Sequence, residues 1–289
     1  DVDFRGLAVV LCGPAVGEAS AMFDLYWNSA AAVPLSGLSR APEGVFEDIA
    51  DAIKTEAQSA EAQRYLQRVA ASPKVQDYAG KRLEPFWSDR IHLVADPPLK
   101  WEEDSRDQWL VHRIERDLSS AKDKVLLISP YFVPGPEVTK GMTALVDKGV
   151  TVGIVTNSLA ANDVAAVYGA YRPYRDQLLR GDVHVYELRA QGHPHSSLFG
   201  SSGASLHTKA YSVDDARGFI GSFNLDARSA YLNTEMGVMF DDPLLAKAVR
   251  DEYLRLSGPE LSYWMHLAKN GKPRWLARAA RPPSLVSPA

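Results

Sequence analysis

Short apolar runs alternate with segments of helical length between residues 125 and 257 of this 289-residue chain. Residues 125–129, 150–156 and 183–188 have the length of strands. The first two are mostly apolar, and the third interrupts its apolar residues with His184 and Glu187. Segments of helical length separate these runs. Strands that alternate with helices predict an α/β fold, in which helices flank both faces of a mixed sheet.

The two ends of the chain carry weaker signals. Residues 7–12 form an apolar run that predicts a strand with Cys12 buried in it. A helix is expected over residues 17–28, and another over residues 45–70, where few helix-breaking residues occur. Residues 266–289 are rich in Pro, Arg, Ala and Ser, which predicts a flexible tail.

A dense group of polar side chains occupies residues 207–235. Residues 206–213 alternate polar and apolar side chains, which predicts a half-buried strand, and residues 217–221 predict the next one. Side chains two apart on a strand point to the same face, so His207 and Lys209 are expected to project together. The candidate site residues are His207, Lys209, Asp214, Ser222, Asn224 and Glu235.

These residue types suit the chemistry of phosphodiesters. Lys209, the Ser222 hydroxyl and the Asn224 amide can donate hydrogen bonds to several phosphate oxygens. The His207 imidazole beside them can attack phosphorus or protonate the leaving oxygen. A carboxylate at Glu235 can hold a ring nitrogen of a histidine and raise its basicity. The pattern predicts an enzyme that handles phosphodiesters through a covalent histidine intermediate.

Each of these residues also has a purely structural explanation. A histidine on a strand is more often a packed core residue than a catalytic one, and a Gly-Ser-x-Asn sequence is usually a turn. Asp214, at the end of its predicted strand, fits a residue that supports the turn or pairs with a nearby cation. The structural explanation weakens because all of these residues occur in one strand–turn–strand block.

The spacing His-x-Lys-x(4)-Asp at residues 207–214, followed by Gly-Ser-x-Asn at 221–224, resembles the signature of the phospholipase D superfamily. Blocks at residues 127–135, 156–164 and 224–235 resemble bacterial cardiolipin synthases of the phosphatidyltransferase type. The resemblance implies a phospholipase D-like fold. It also implies roles for the six candidate residues. The catalytic residues would be His207, Lys209, Asp214 and Glu235, and the phosphate-binding residues would be Ser222 and Asn224.

Members of this superfamily carry two such motifs, one in each half of a pseudo-twofold fold. Among the seven histidines of this chain, only His207 is followed two residues later by lysine. The simplest interpretation is a fragment, with residues 1–104 as the remainder of an N-terminal half and residues 105–265 as a complete C-terminal half. The alternative is a one-motif protein that completes its site as a homodimer. By resemblance, His207 would be the acid/base and the missing half or partner copy would supply the nucleophile.

The resemblance implies phosphatidyl transfer between phospholipids, which makes cardiolipin. Phosphatidylglycerol is the expected substrate, and phosphatidylethanolamine is a second candidate. A phospholipase D-type hydrolase, a nuclease, or a catalytically incomplete half-site stays open, because the motif does not distinguish transfer to an alcohol from transfer to water. The expected location is the cytoplasmic face of a bacterial inner membrane, through peripheral contact, or the cytoplasm.

Composition limits the partners further. A formal net charge of −4 and a sequence pI near 6.0 disfavour nucleic acid as a partner. No Cys/His cluster has the spacing of a metal site, so neither a metal nor another cofactor is expected. No stretch approaches the ~20 apolar residues that cross a bilayer, and no signal peptide is visible in the sequence.

Overall fold

The computed structural model describes most of the chain. The described residues are 4–39, 42–80, 82, 85, 87–102, 106–190 and 205–277, without the side chains of residues 4, 5, 36, 61 and 74. They fall into two compact units, of which one is residues 32–87 and the other is residues 1–31 together with 88–289. The division at residue 105 into two phospholipase D-like halves stays a prediction.

All strands of the described residues belong to the larger unit. They are β1 (Phe4–Arg5), β2 (Ile91–Ala95), β3 (Lys124–Ile128), β4 (Thr151–Asn157), β5 (His184–Leu188), β6 (Ser205–Leu206), β7 (Ala210–Val213), β8 (Arg217–Gly221), β9 (Met236–Phe240), β10 (Ser262–Leu267) and β11 (Pro273–Leu276). Most of them match apolar runs of the sequence, and β8 has the predicted bounds.

Nine of these strands form one mixed sheet in the order β11-β10-β5-β4-β3-β7-β8-β9-β2. Strands β3, β4 and β5 are parallel to one another, whereas the remaining neighbours pair antiparallel. The direction of the sheet therefore changes between β3 and β7. Strands β1 and β6 form a separate parallel pair.

Helices precede and follow the strands of the sheet. In the larger unit they are α1 (Ala15–Trp27), α6 (Leu110–Ser119), α7 (Gly135–Asp147), α8 (Ala165–Arg180), α9 (Ala227–Tyr231) and α10 (Pro243–Leu256). In the smaller unit they are α2 (Leu35–Leu38), α3 (Val45–Ala57), α4 (Ala60–Ala70) and α5 (Pro73–Ala79). Two short 3₁₀ turns lie at Lys100–Glu102 and Arg106–Gln108.

Strand β3 shows why helices cover both faces of the sheet. All of its residues are buried, and alternate side chains point to opposite faces. Val125 and Leu127 belong to the core shared with α6, α7 and α8, whereas Leu126 and Ile128 pack against Tyr253 of α10 and its neighbours. This arrangement confirms the predicted mixed sheet with helices on both faces.

Two predictions for the N-terminal region are corrected. The single helix expected over residues 45–70 is broken, because the Ser59 hydroxyl accepts the Ala62 N–H at 3.1 Å and begins a new helix, α4. Residues 7–12 form no strand, and Cys12 is exposed rather than buried. Leu7 and Val9 are partly buried against the core beside α10, whereas Val10 is 64% exposed, so this run packs on the protein without joining the sheet.

The predicted flexible tail over residues 266–289 is partly a β-hairpin. Strands β10 and β11 pair antiparallel, and Trp275 donates its indole N–H to Glu187 of β5 at 2.7 Å. The Arg175 guanidinium also lies 5.1 Å from the centre of the Trp275 ring. These contacts attach β11 to the edge of the sheet, although three of its four residues are exposed. Residues 278–289 lie outside the described residues.

Candidate active site

His207 and Lys209 lie between β6 and β7, at the edge of the sheet where β3 ends. The strand predicted over residues 206–213 is interrupted there, since residues 207–209 are outside the strands. The expected proximity of the two side chains is confirmed. Lys209 Nζ donates to the His207 carbonyl oxygen at 2.9 Å and lies 3.3 Å from His207 Nδ1. His207 is exposed, whereas Lys209 is only 8% exposed.

Asn157, at the end of β4, holds the chain immediately before His207. Its Oδ1 accepts the Leu206 N–H at 3.1 Å, and its Nδ2 donates to the Leu206 carbonyl oxygen at 3.3 Å. Asn157 is 1% exposed, so both bonds are shielded from water. No local pattern indicates this role, because Asn157 and Leu206 are 49 positions apart.

Ser222 and Glu235 meet on the loops at the adjoining ends of β8 and β9, and Asn224 follows on the loop after β8. The Ser222 hydroxyl donates to Glu235 Oε2 at 2.5 Å and accepts the Met236 N–H at 2.9 Å. Asn233 Nδ2 donates to the other Glu235 oxygen at 3.1 Å. The structure thus brings together Ser222 and Glu235, which the sequence assigned to phosphate binding and catalysis separately.

Gly221 has a structural role between two strands. A Cβ there would lie 2.4 Å from the Met236 carbonyl oxygen and 2.7 Å from Gly237 Cα. Such distances are too short for any side chain. Gly221 therefore allows β8 and β9 to approach each other, which sets the spacing between Ser222 and Glu235.

A fully buried ion pair contacts the backbone of Glu235 and of the loop before it. Lys100 Nζ donates to Asp96 Oδ2 at 2.9 Å, and both side chains are 0% exposed. The same carboxylate oxygen accepts the Glu235 N–H at 3.0 Å. Lys100 Nζ also donates to the carbonyl oxygens of Ser229 and Asn233 at 3.1 and 3.0 Å. The ion pair fixes the backbone on both sides of the loop that presents Glu235.

The pKa values of His207 and Lys209 are both lowered. Burial of the ammonium lowers the pKa of Lys209 to about 8, against the opposing influence of the Glu235, Asp163 and Asp226 charges. Partial burial of the ring, and then the Lys209 charge, lowers the pKa of His207. His207 is therefore largely neutral at pH 7, so a ring nitrogen can attack phosphorus or accept a proton.

Asp214 lies apart from the other five candidate residues. It follows β7, roughly 20 Å along the chain from His207 at the usual rise of a strand. Its carboxylate accepts the backbone N–H groups of Lys122, Asp123 and Lys124 at 2.8–3.2 Å. Its φ of 53° starts the turn to β8. Asp214 supports the turn and anchors the start of β3, as its strand-end position indicated.

The sequence interpretation did not assign two carboxylates near Lys209 to the site. Asp226 caps α9 by accepting the Ser229 N–H at 2.8 Å, and burial raises its pKa. Asp163 accepts a hydrogen bond from the Tyr131 hydroxyl at 2.8 Å. Both lie in the blocks at residues 156–164 and 224–235, but neither belongs to the His-x-Lys-x(4)-Asp spacing or to the Gly-Ser-x-Asn sequence.

Comparison with known families identifies the region that holds the site. Residues 114–257 match the family described as cardiolipin synthase, PLD-like domain. The chain carries a phospholipase D-like domain. All six candidate residues lie inside it, whereas Asp96 and Lys100 precede it in sequence.

Relatives of this phospholipase D-like chain include phospholipid-synthesis enzymes. Cardiolipin synthase C of Escherichia coli (strain K12) is 34% identical over 284 residues, which cover 96% of this chain and 60% of that protein. Cardiolipin synthase A of Klebsiella pneumoniae subsp. pneumoniae is 30% identical over 171 residues, or 58% of this chain and 31% of that protein. The chain therefore spans at most 60% of the length of these two relatives.

Among solved structures, the phospholipase D-like chain is similar in fold to phosphatidylserine synthase from Haemophilus influenzae Rd KW20. The TM-score is 0.50 at 15% sequence identity, and the match covers 91% of this chain and 54% of that one. In the part of the chain that the structure describes, no helix is long and apolar enough to cross a membrane. The described residues also contain no group of three or more His, Cys, Asp or Glu placed to hold a metal ion.

Proposed function

We propose that this domain transfers a phosphatidyl group between phospholipids, with His207 as one of two catalytic histidines. The observation that carries the proposal is the contact between His207 and Lys209, in which an exposed, largely neutral imidazole lies beside a nearly buried ammonium. The ammonium attracts the phosphate, and the imidazole is within reach of the same ligand. The similarity to two cardiolipin synthases supports phospholipids as the substrate class.

The proposed reaction has two steps. A histidine nitrogen attacks phosphorus to form a P–N bond, the bond from phosphorus to the head-group oxygen breaks, and the second histidine gives its proton to that oxygen. An acceptor alcohol then gives its proton to the second histidine and attacks phosphorus, which breaks the P–N bond. His207 is proposed as the acid/base. Its lowered pKa favours the neutral form, which takes the proton of the acceptor alcohol in the second step, and its protonated form gives a proton to the leaving oxygen in the first. Lys209 and Asn224 hold phosphate oxygens throughout.

A second histidine is needed for this reaction, and this chain contains one His-x-Lys motif. We infer that the second set of residues comes from sequence outside this chain or from a second copy of it. Glu235 would then orient the second histidine, since Ser222 and Asn233 already fix its two carboxylate oxygens. Phosphatidylglycerol, with phosphatidylethanolamine as the other candidate, would be met at the cytoplasmic face of a bacterial inner membrane.

Product analysis tests the proposal. The chain is incubated with labelled phosphatidylglycerol in detergent micelles, and cardiolipin and phosphatidic acid are quantified over a range of protein concentrations. His207→Gln should lower cardiolipin formation by on the order of 10²–10⁴, the usual contribution of acid/base catalysis. His112→Gln is the matched control, because this histidine lies on α6 and bonds to Glu115 at 3.0 Å.

Each outcome distinguishes between the candidate functions. A rate per molecule that rises with protein concentration supports assembly of the site from two copies. Phosphatidic acid as the only product would replace transfer by hydrolysis. Measurable cardiolipin formation that is equal for His207→Gln and for the unaltered chain would refute the role of His207. No product from the folded, unaltered chain would refute assembly of the site from two copies of it.

A further inference from the structure

A tyrosine–carboxylate pair lies beside the phosphate-binding residues without a part in the proposed reaction. The Tyr131 hydroxyl donates to Asp163 Oδ2 at 2.8 Å, and both residues are partly exposed. Tyr131 follows β3 and Asp163 follows β4, so both are at the edge of the sheet that carries His207. Among the described residues, no other hydrogen bond to the Asp163 carboxylate is present.

The loop of Tyr131 is attached directly to the loop of Asn224. The Ser129 hydroxyl accepts the Leu225 N–H at 3.1 Å and donates to the Tyr131 carbonyl oxygen at 2.9 Å. The Val133 N–H donates to the Leu225 carbonyl oxygen at 2.8 Å. These bonds hold Tyr131 at a fixed position relative to the phosphate-binding residues.

The charge of Asp163 reaches the candidate catalytic residues. It is among the carboxylates that act to raise the pKa values of both His207 and Lys209. In addition, Asn224 is 8% exposed, and its Oδ1 has no hydrogen-bond partner among the described residues. A buried amide oxygen without a partner is costly, so a hydrogen-bond donor on a ligand would stabilise this atom.

We propose that Tyr131 and Asp163 bind the hydrogen-bond-donating end of the substrate head group, and thereby determine which alcohol is exchanged. This proposal rests on the proposed function. The ligand would be a phosphodiester whose phosphate lies on Lys209 and whose hydroxyl or ammonium group donates to Asp163. A hydroxyl and an ammonium share this chemistry, because both are donors.

The protonation states of the pair favour donors over acceptors as ligands. Burial, and then the Asp163 carboxylate, raises the pKa of Tyr131 well above its usual value, so its hydroxyl keeps its proton. That proton is given to Oδ2 of Asp163, which leaves Oδ1 to accept a bond from the ligand. Hydrogen bonds to a charged carboxylate are stronger than neutral ones, so Asp163 should contribute more to specificity than Tyr131.

Calorimetric titration with three soluble phosphodiesters tests the proposal without requiring turnover. Dimethyl phosphate carries the phosphate alone, glycerophosphoglycerol adds hydroxyls, and glycerophosphoethanolamine adds an ammonium. We expect one or both of the last two to bind about 10-fold more tightly than dimethyl phosphate. The stronger of the two identifies the donor that the pair prefers.

Two variants assign the effect to its residues. Asp163→Asn, which keeps the shape of the side chain, should reduce the 10-fold preference to less than twofold. It removes a negative charge near Lys209, so dimethyl phosphate should bind at least as tightly as it does to the unaltered chain. Tyr131→Phe should reduce the preference by a smaller factor. Asp241→Asn is the matched control, because this exposed carboxylate lies at the opposite end of β9 from Glu235.

Failure of the head-group proposal is distinguishable from failure of the proposed function. If the unaltered chain binds dimethyl phosphate through Lys209 but shows no preference among the three ligands, the head-group role of Asp163 and Tyr131 is refuted and the phosphate site stands. A preference that survives in Asp163→Asn refutes it as well. If none of the three ligands binds, the phosphate site itself is wrong, and the head-group role falls with it.

Discussion

Two lysines are buried close to the same loop, and they have opposite environments. Lys100 is 0% exposed, and its ammonium donates to Asp96, to the Ser229 carbonyl and to the Asn233 carbonyl. Lys209 is 8% exposed, and its ammonium contacts only the carbonyl oxygen and the ring of His207 within hydrogen-bonding distance among the described residues. Both carry a charge out of water, but only one has a full set of acceptors.

This difference separates a structural charge from a functional one. An ammonium with three acceptors holds its surroundings together, and a ligand would have to displace those acceptors. An ammonium with few acceptors is unfavourable in the ligand-free protein and improves when an anion arrives. The low pKa of Lys209 expresses that cost.

Lys100→Met should give the largest effect on stability. It leaves the Asp96 carboxylate buried without its counter-charge, which typically costs about 3–5 kcal/mol. Urea denaturation measures the change, with Lys247→Met as the control because that lysine is exposed and pairs only with Asp251. A loss below ~1 kcal/mol, as for a surface ion pair, would remove the distinction between the two lysines.

Lys209→Met should have the opposite sign and abolish phosphate binding. The pKa of Lys209 falls from the usual 10.5 to about 8 on folding, so the charged lysine costs about 3 kcal/mol below pH 8. The variant should therefore be more stable by up to that amount at pH 7. Above pH 10.5 the Lys209 side chain is neutral in both the folded and the unfolded chain. The stability advantage of the variant should therefore shrink as the pH rises from 8 to 10.5. Denaturation at these pH values measures the stability difference between the variant and the unaltered chain, and a titration with dimethyl phosphate measures binding. A stability difference that does not change with pH would contradict the prediction. So would phosphate binding that survives in the variant.

Asp214→Ala tests whether a motif residue whose side chain already has several hydrogen-bond partners is structural rather than catalytic. Its carboxylate accepts three consecutive backbone N–H groups, so we expect a loss of about 2 kcal/mol and unchanged phosphate affinity of the folded protein. Asp214→Asn keeps one acceptor oxygen and tolerates the positive φ of 53°, so it should lose less. Weaker phosphate binding in the folded Asp214→Ala variant would return this residue to the catalytic group.

The sequence predicted the local part of the site and missed its remote part. His207 and Lys209 were expected to lie together because their spacing is two residues, and Ser222 and Asn224 because they follow a strand directly. Lys100 and Asp163 come from distant segments, and their roles depend on pairings that no local pattern encodes. A single sequence offers only residue type for them, and residue type favours the surface for both.

The fold was predictable where apolar runs are buried on both faces. Strands β3, β4 and β5 lie within two residues of their predicted bounds. The prediction failed at the edges, where a run needs a partner as well as apolar character. Residues 7–12 lack one and form no strand, whereas β11, most of which is exposed, has one in β10.

The pairing of β2 with β9 has a consequence for how the protein folds. It joins segments separated by 139 residues at the bond from Glu235 to Asp96, so closing this contact costs a large amount of chain entropy, about 4 kcal/mol for a flexible loop of that length. The β7–β8 hairpin can form from neighbouring residues, but Glu235 reaches its anchor only after the long loop closes. We expect the hairpin that follows His207 to be structured early, and catalytic competence to appear in the final phase of folding.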